Sequence, residues 1–376
     1  DRLLMVDDVN IAGVHYPQDS MVRRMKGPAG TKVKVTVKRD GEVIPFEITR
    51  GKIPMHSVDA AFMTSATDGY VRVSKFSRST YEEFVKAIAG LRAQGMEHLV
   101  VDLRDNSGGY FDQALMMSNL FLPKDSLIVF LEGRKRARED YRADGRGPYQ
   151  DLPVSLLINE GSASSSEIFA GALQDNHRAT IVGRRSFGKG LVQEPINFTD
   201  GSGIRLTVAR FHTPSGRCIQ KPYTEDYAFE VYKRYAGSEM VQKDSMKIEN
   251  GGIIPDVFVP LDTTRASDFY IKCNKKASAL RFASHYFDKH HAELSAIDDY
   301  AQLLDYLDQA ELDKQFLQFV KKTDGLVPKK GEWEDSKDYM MTQIRALVGR
   351  YSALSDNAFY HIYLSIDETF AAAVKK

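Results

Sequence analysis

The stretch HLVVDLR, residues 98–104, is nearly continuous in apolar side chains. A strand with one wet face alternates polar and apolar residues, whereas an unbroken run belongs to a strand covered on both faces. Such a strand asks for helices above and below a largely parallel sheet, and its flanks offer them. Upstream, GYVRVSKF (69–76) reads as a strand, and Thr80 with Glu83 forms a capping box ahead of Phe84, Ile88 and Leu91 at helical spacing. Downstream, residues 111–122 read as a helix stopped by Pro123. SLIVFLE (126–132) and VSLLIN (154–159) read as strands separated by an Arg-rich loop over 133–151. A helix over about 164–176 and the strand ATIVG (179–183) complete an α/β pattern, so the class is mixed α and β.

The rest of the 376 residues reads differently at each end, and the length suits two or three domains. In residues 1–55, SMVRRMKGPAG is a short helix ended by Gly27-Pro28. Val33, Val35 and Val37, a turn at Asp40-Gly41, and Ile44, Phe46 and Ile48 then predict a hairpin with one buried face. Residues 190–260 return to short β segments, LVQEPINF and GIRLTVARFH among them. From about 265 onward the composition is helical, with an apolar stripe along residues 300–322 and a loop at GLVPKKGEWEDSK, residues 325–337. The opening DRLLMVDDVNIAG has neither an initiator Met nor a basic-then-apolar leader and reads as the middle of a folded module, so the chain is read as a fragment.

Charge narrows the partners. Lys plus Arg and Asp plus Glu both number 51, and this balance argues against nucleic acid or an anionic membrane surface as a partner. No apolar run has the length of a membrane span. Two cysteines, Cys218 and Cys273, cannot build a disulfide framework, and nothing beside them resembles a zinc tetrad. The basic loop around Arg134–Arg146 is interleaved with acids and reads as solvated, and His98, His177, His212, His290 and His291 lack metal-ligand spacing.

Chemistry concentrates in residues 158–193, INEGSASSSEIFAGALQDNHRATIVGRRSFGKGLVQ. Ser164, Ser165 and Ser166 fall where a strand feeds a helix, with Ser164 and Glu167 at capping-box spacing. Serine caps helices well, so capping alone is the plain reading. A helix start also offers unpaired N–H groups to a developing oxyanion, and a hydroxyl there becomes a nucleophile if a base is near. No G-x-S-x-G elbow is present and the histidines are scattered, which leaves Lys189, between Gly188 and Gly190, as the candidate base. A lysine base must be neutral; bringing its pKa to roughly 7–8 takes about 3–4 kcal/mol of desolvation in an apolar pocket. Val182, Phe187, Leu191 and Val192 are the walls on offer. GRRSFGKG (183–190) nearly fits a phosphate-binding loop, but Gly190 lacks the hydroxyl for Mg²⁺ and a strand follows instead of a helix. Gly108-Gly109, at the carboxyl end of the buried strand, sits where α/β sheets gather their sites.

Residues 158–193 resemble the signature of the C-terminal processing peptidases, or tail-specific proteases. VDLRDNSGG (101–109) and GGIIPDVFVP (251–260) are similar to further segments of that family, and residues 1–50 are similar to the second half of its PDZ domain. The resemblance implies a partial PDZ module over 1–55, a serine protease core over 56–262 and a helical region over 263–376. It implies Ser164 as nucleophile, Lys189 as general base and Gln193 as the glutamine that positions the dyad. The amide of Ser165, with one from Gly108 or Gly109, would form the oxyanion hole. No cofactor or metal is implied. Partners would be proteins or peptides with accessible C-terminal tails, with an adaptor or a second copy of the chain on the helical region, and the location would be the periplasm or cell envelope. A catalytically silent peptide-binding scaffold of the same fold is the alternative.

Overall fold

Alternating valines and unbroken apolar runs become strands in the computed structural model of the chain, which describes residues 2–39, 41–53, 56–221, 251–262 and 266–375. Two compact units result, Asp1–Met55 and His56–Lys376.

The first unit is a four-stranded antiparallel sheet of β1 (Arg2–Val6), β2 (Val9–Asn10), β3 (Lys32–Arg39) and β4 (Glu42–Thr49), in the order β2-β1-β3-β4, with helix α1 (Gln18–Met25). Val33, Val35 and Val37 are buried with Val6. The buried face is narrower than expected: Phe46 and Ile48, opposite Val35 and Val33, are exposed. Cover from Leu3, Ile11 and Met25 reaches Ile44 and stops there. Of the expected turn, Asp40 lies outside the described residues, while Gly41 has a φ of +93° that a side chain would resist.

The second unit carries a six-stranded sheet, built from β5 (Val58–Met63), β6 (Asp68–Val73), β7 (His98–Asp102), β10 (Val154–Ile158), β11 (Thr180–Gly183) and β14 (Val257–Phe258). Its order is β14-β11-β10-β7-β6-β5, parallel except for β5 at the edge. Helices α2 (Thr80–Ala93), α3 (Phe111–Asn119) and α4 (Ser165–Asp175) connect it. A second, antiparallel sheet runs β12-β13-β8-β9, from β8 (Leu127–Glu132), β9 (Glu139–Arg142), β12 (Leu191–Asn197) and β13 (Gly203–His212). Strand β9 lies inside the stretch expected as loop. Its Asp140 is paired to Arg138 and Arg142, and Tyr141 alone supplies apolar contact, against Phe111, so the alternation was too short to read.

The C-terminal residues fold as α5 (Asp268–Lys275), α6 (Ser278–Ala296), α7 (Tyr300–Gln309), α8 (Leu312–Asp324), α9 (Glu332–Gly349), α10 (Asp356–Tyr363) and α11 (Glu368–Val374). The apolar stripe over 300–322 is broken at Glu311, whose φ is +44°. The expected loop over 325–337 ends early, because Glu332, Glu334 and Asp335 stand in the first turn of α9, where acids favour the helix dipole. Among the described residues, no helix is long and apolar enough to cross a membrane.

β7 has the two-sided burial that its sequence demands. Leu99 and Val101 join the core beneath α2, α3 and α4, while Val100 faces the opposite cluster with Leu157, Val182, Leu364 and Ala373.

Candidate active site

Strands β7, β10 and β11 end side by side, and the segments leaving them meet. Asn106, in the turn after β7, stitches two of them together. Its side chain donates to the Val73 carbonyl at 2.8 Å and accepts from the Gly108 amide at 2.9 Å. Its carbonyl accepts from the Ala163 amide and the Ser166 hydroxyl, both at 2.9 Å. Asn159, ending β10, accepts from the Asp105 and Gly161 amides at 2.9 and 3.0 Å. The Phe187 amide donates to the Ser162 carbonyl at 2.9 Å, which joins the segment after β11.

The serines sort themselves by their hydroxyls. Ser162 donates to the Leu103 carbonyl, Ser165 to the carbonyls of Gly109 and Tyr110, and Ser166 to that of Asn106, and all three are buried. Ser164 is half-buried, and its hydroxyl donates to no described group. Its backbone lies at φ +57°, ψ −114°. Such a conformation costs a non-glycine residue about 1–3 kcal/mol and gathers at active sites. The absence of a G-x-S-x-G motif therefore did not mean the absence of a strained strand-to-helix turn carrying a serine.

Gly108 approaches that turn so closely that a Cβ on it would lie 2.7 Å from the Ser164 Cβ and 2.9 Å from the Ser165 nitrogen. The amide of Gly108 is engaged by Asn106, whereas the amides of Gly109 and Ser165 bond to no described group. Of the two glycines offered for an oxyanion hole, Gly109 has the uncommitted N–H.

Glu167, one turn into α4, is fully buried and accepts four hydrogen bonds. Two come from the Ser164 and Lys189 amides, each at 2.8 Å from Oε2, and two from the Ser186 hydroxyl and Gly188 amide at 2.5 and 2.6 Å from Oε1. Burial pushes its carboxyl above the usual range, against the downward pull of these bonds. In sequence this residue was legible only as the partner in a capping box.

Lys189 departs from expectation. Its backbone is anchored through Glu167, but the residue is exposed rather than enclosed by apolar walls. Val182 points to the sheet face away from α4, and the ammonium of Lys221 sits 4.0 Å from the centre of the Phe187 ring. Leu191 and Val192 are half-buried. Gln193 is exposed on β12, opposite Thr207, and no described hydrogen bond joins it to Ser164 or Lys189.

Behind the turn lies a buried charge cluster. Asp102 is fully buried; it accepts from the Tyr70 hydroxyl at 2.7 Å and pairs with Arg104 at 2.6 Å and Arg72 at 3.1 Å. Burial alone would raise its carboxyl, but the two guanidiniums outweigh that and hold it well below the usual carboxylate range. Arg104 also pairs with Asp367, at 2.7 Å, ahead of α11. Among the described residues, no group of three or more His, Cys, Asp or Glu could hold a metal ion.

Residues 68–229 match the profile of peptidase family S41, and residues 269–352 match a family of unknown function, DUF8443. The carboxyl-terminal-processing protease of Synechocystis sp. is 39% identical over 226 residues, which are 59% of this chain and 52% of that protein. A probable CtpA-like serine protease of Staphylococcus epidermidis is 38% identical over 221 residues, 58% of this chain and 44% of that one. This chain thus spans about half the length of the curated relatives it matches. Among solved structures, the photosystem II D1 C-terminal processing protease aligns at 28% identity over 69% of this chain and 62% of that one, with a TM-score of 0.44. Residues 68–229 thus match a peptidase S41 domain, and the chain is similar to carboxyl-terminal-processing and CtpA-like serine proteases.

Proposed function

We propose that this chain is a serine endopeptidase of the C-terminal-processing kind, with Ser164 as nucleophile and Lys189 as general base. The observation that carries the reading is the hydroxyl of Ser164, the one among four neighbouring serines that is not donated to a described backbone carbonyl, on a strained turn at a helix start. Lys189 is exposed, and a lysine serves as a general base where it is desolvated, so the base must lose its water before it can act. A polypeptide laid over the β12–β13 hairpin would strip that water.

Neutral Lys189 then takes the Ser164 proton as Oγ bonds to the substrate carbonyl carbon. The amides of Ser165 and Gly109 receive the oxyanion. Collapse breaks the C–N bond, and the leaving amine takes its proton from Lys189. Water, deprotonated by the same amine, attacks the ester; the acid product leaves and Ser164 recovers its proton. Gln193 would orient the lysine once the hairpin is covered.

Residues 1–55 are read as part of a PDZ module that recognises substrate C-termini by strand addition. Residues 56–262 are the peptidase core, and 263–376 a helical region for an adaptor or a second copy. The periplasm or cell envelope is the proposed location, and proteins with accessible tails are the proposed substrates. The exposure of Lys189 favours a second reading, a peptide-binding scaffold that does not cleave. Mass spectrometry of an unstructured polypeptide incubated with the protein separates them. Cleavage that disappears in both Ser164→Ala and Lys189→Ala supports the peptidase. Cleavage by Ser164→Ala at the unmodified rate overturns it, and saturable binding without cleavage favours the scaffold.

A further inference from the structure

Glu167 does more than a helix cap requires. A cap needs one amide and is satisfied at the surface, yet this carboxylate is fully buried, and none of the described arginines, lysines or histidines pairs with it. Burying a charge without a counter-ion is costly unless hydrogen bonds replace the lost water. Its four bonds reach two separate segments: the Ser164 amide belongs to the turn after β10, and the Ser186, Gly188 and Lys189 donors belong to the segment after β11. A single oxygen, Oε2, receives the Ser164 and Lys189 amides, each at 2.8 Å. The two backbone nitrogens are therefore held within twice that distance of each other. Ser186 extends the tie, since its oxygen also accepts from the Ile253 amide at 2.6 Å.

We propose that Glu167 is the positioning residue of this site, a buried strut that sets the reach of Lys189 to Ser164. The proposal rests on the Ser164–Lys189 reading. Glu167 touches neither substrate nor reacting atoms. Its work needs four acceptor positions: a glutamine would turn its NH2 toward two buried donors in either orientation. The surface that binds substrate would be untouched, so the loss should fall on kcat and leave KM alone.

The experiment measures kcat and KM on a peptide substrate, and hydrogen exchange over residues 184–190, for the full chain and its Glu167→Gln, Ser186→Ala and Ser164→Ala variants. Glu167→Gln is expected to lower kcat by about 100-fold, the scale of a misplacement of about 1 Å, with KM within about threefold. Exchange over 184–190 should quicken at least about tenfold while β7 and β10 stay protected. A folded Glu167→Gln whose kcat falls less than about tenfold, or whose loss appears as raised KM, overturns the proposal. Unchanged exchange over 184–190 does so too, and that readout needs no turnover. If Glu167→Gln does not fold, Ser186→Ala decides: a fall in kcat of about threefold or more at constant KM supports the strut, and a smaller one overturns it. Ser164→Ala keeps the two claims apart. If it cleaves normally, the nucleophile reading fails; if it is inert while Glu167→Gln turns over normally, only the strut fails.

Discussion

The two halves of the site are built to different standards. Around Ser164, the hydroxyls of Ser162, Ser165 and Ser166 and the Asn106 side chain are matched to backbone partners, and Ser164, the proposed nucleophile, is held on a strained turn. Around Lys189 only the main chain is held, by Glu167 on one side and by the Gly190 amide donating to Gln220 on the other, while the side chain stands in water. Beyond it, the β12–β13 hairpin exposes Ile196, Phe198, Ile204 and Leu206. On the proposed reading, the Ser164 nucleophile is preorganised by the fold, and Lys189, the proposed base, waits for cover.

Substitutions on either side should break or sharpen this contrast. The largest effect is expected behind the turn. Asp102→Asn leaves Arg72 and Arg104 buried beside a neutral amide, and loss of one partner in a buried ion cluster costs about 3–5 kcal/mol. The folded Asp102 carboxyl titrates below its unfolded range, so its contribution is complete above about pH 4 and is lost only as pH falls through the depressed folded value. Denaturant melts should show a constant gap between the proteins at pH 5–7 and a shrinking gap in stronger acid, about pH 4 and below. A gap that grows on acidification would contradict the cluster.

Two glycines give the next comparison. Gly108 and Gly201 have φ of +94° and +84°, but a Cβ at 108 would strike Ala163 and Ser164 whereas one at 201 meets nothing within 4 Å. Gly201→Ala should cost about 1 kcal/mol of backbone strain, and Gly108→Ala about 2–4 kcal/mol through strain and overpacking, with loss of cleavage. Equal costs in thermal melts would mean that the turn is not crowded.

The smallest stability change is expected on the hairpin. Leu206→Ser removes an exposed apolar group and should shift stability by no more than about 0.5 kcal/mol, while raising KM for polypeptides several-fold. An unchanged KM would remove the hairpin from substrate binding.

Much of the scaffold was legible because local patterns carry it. HLVVDLR announced a strand covered twice, and strand, turn and helix at 158–175 placed Ser164 at a helix start. What escaped was long-range. Apart from the family resemblance the four serines look alike in sequence, and the carbonyls supplied by Leu103, Asn106, Gly109 and Tyr110 are what set three of them apart from Ser164. Val182 seemed a wall for Lys189 because it is near in sequence, yet alternation along β11 sends it to the other face of the sheet. Glu167 reads as a local cap, and its bonds to residues 186–189 depend on how the next strand is stacked.

The most direct test of the account is to map where a fluorophosphonate attaches. Intact-mass and fragment-ion spectra of the labelled protein should show one adduct, on the Ser164 oxygen, absent from Ser164→Ala and unaffected by Ser165→Ala. An adduct on Ser162, Ser165 or Ser166, or undiminished labelling of Ser164→Ala, would contradict it.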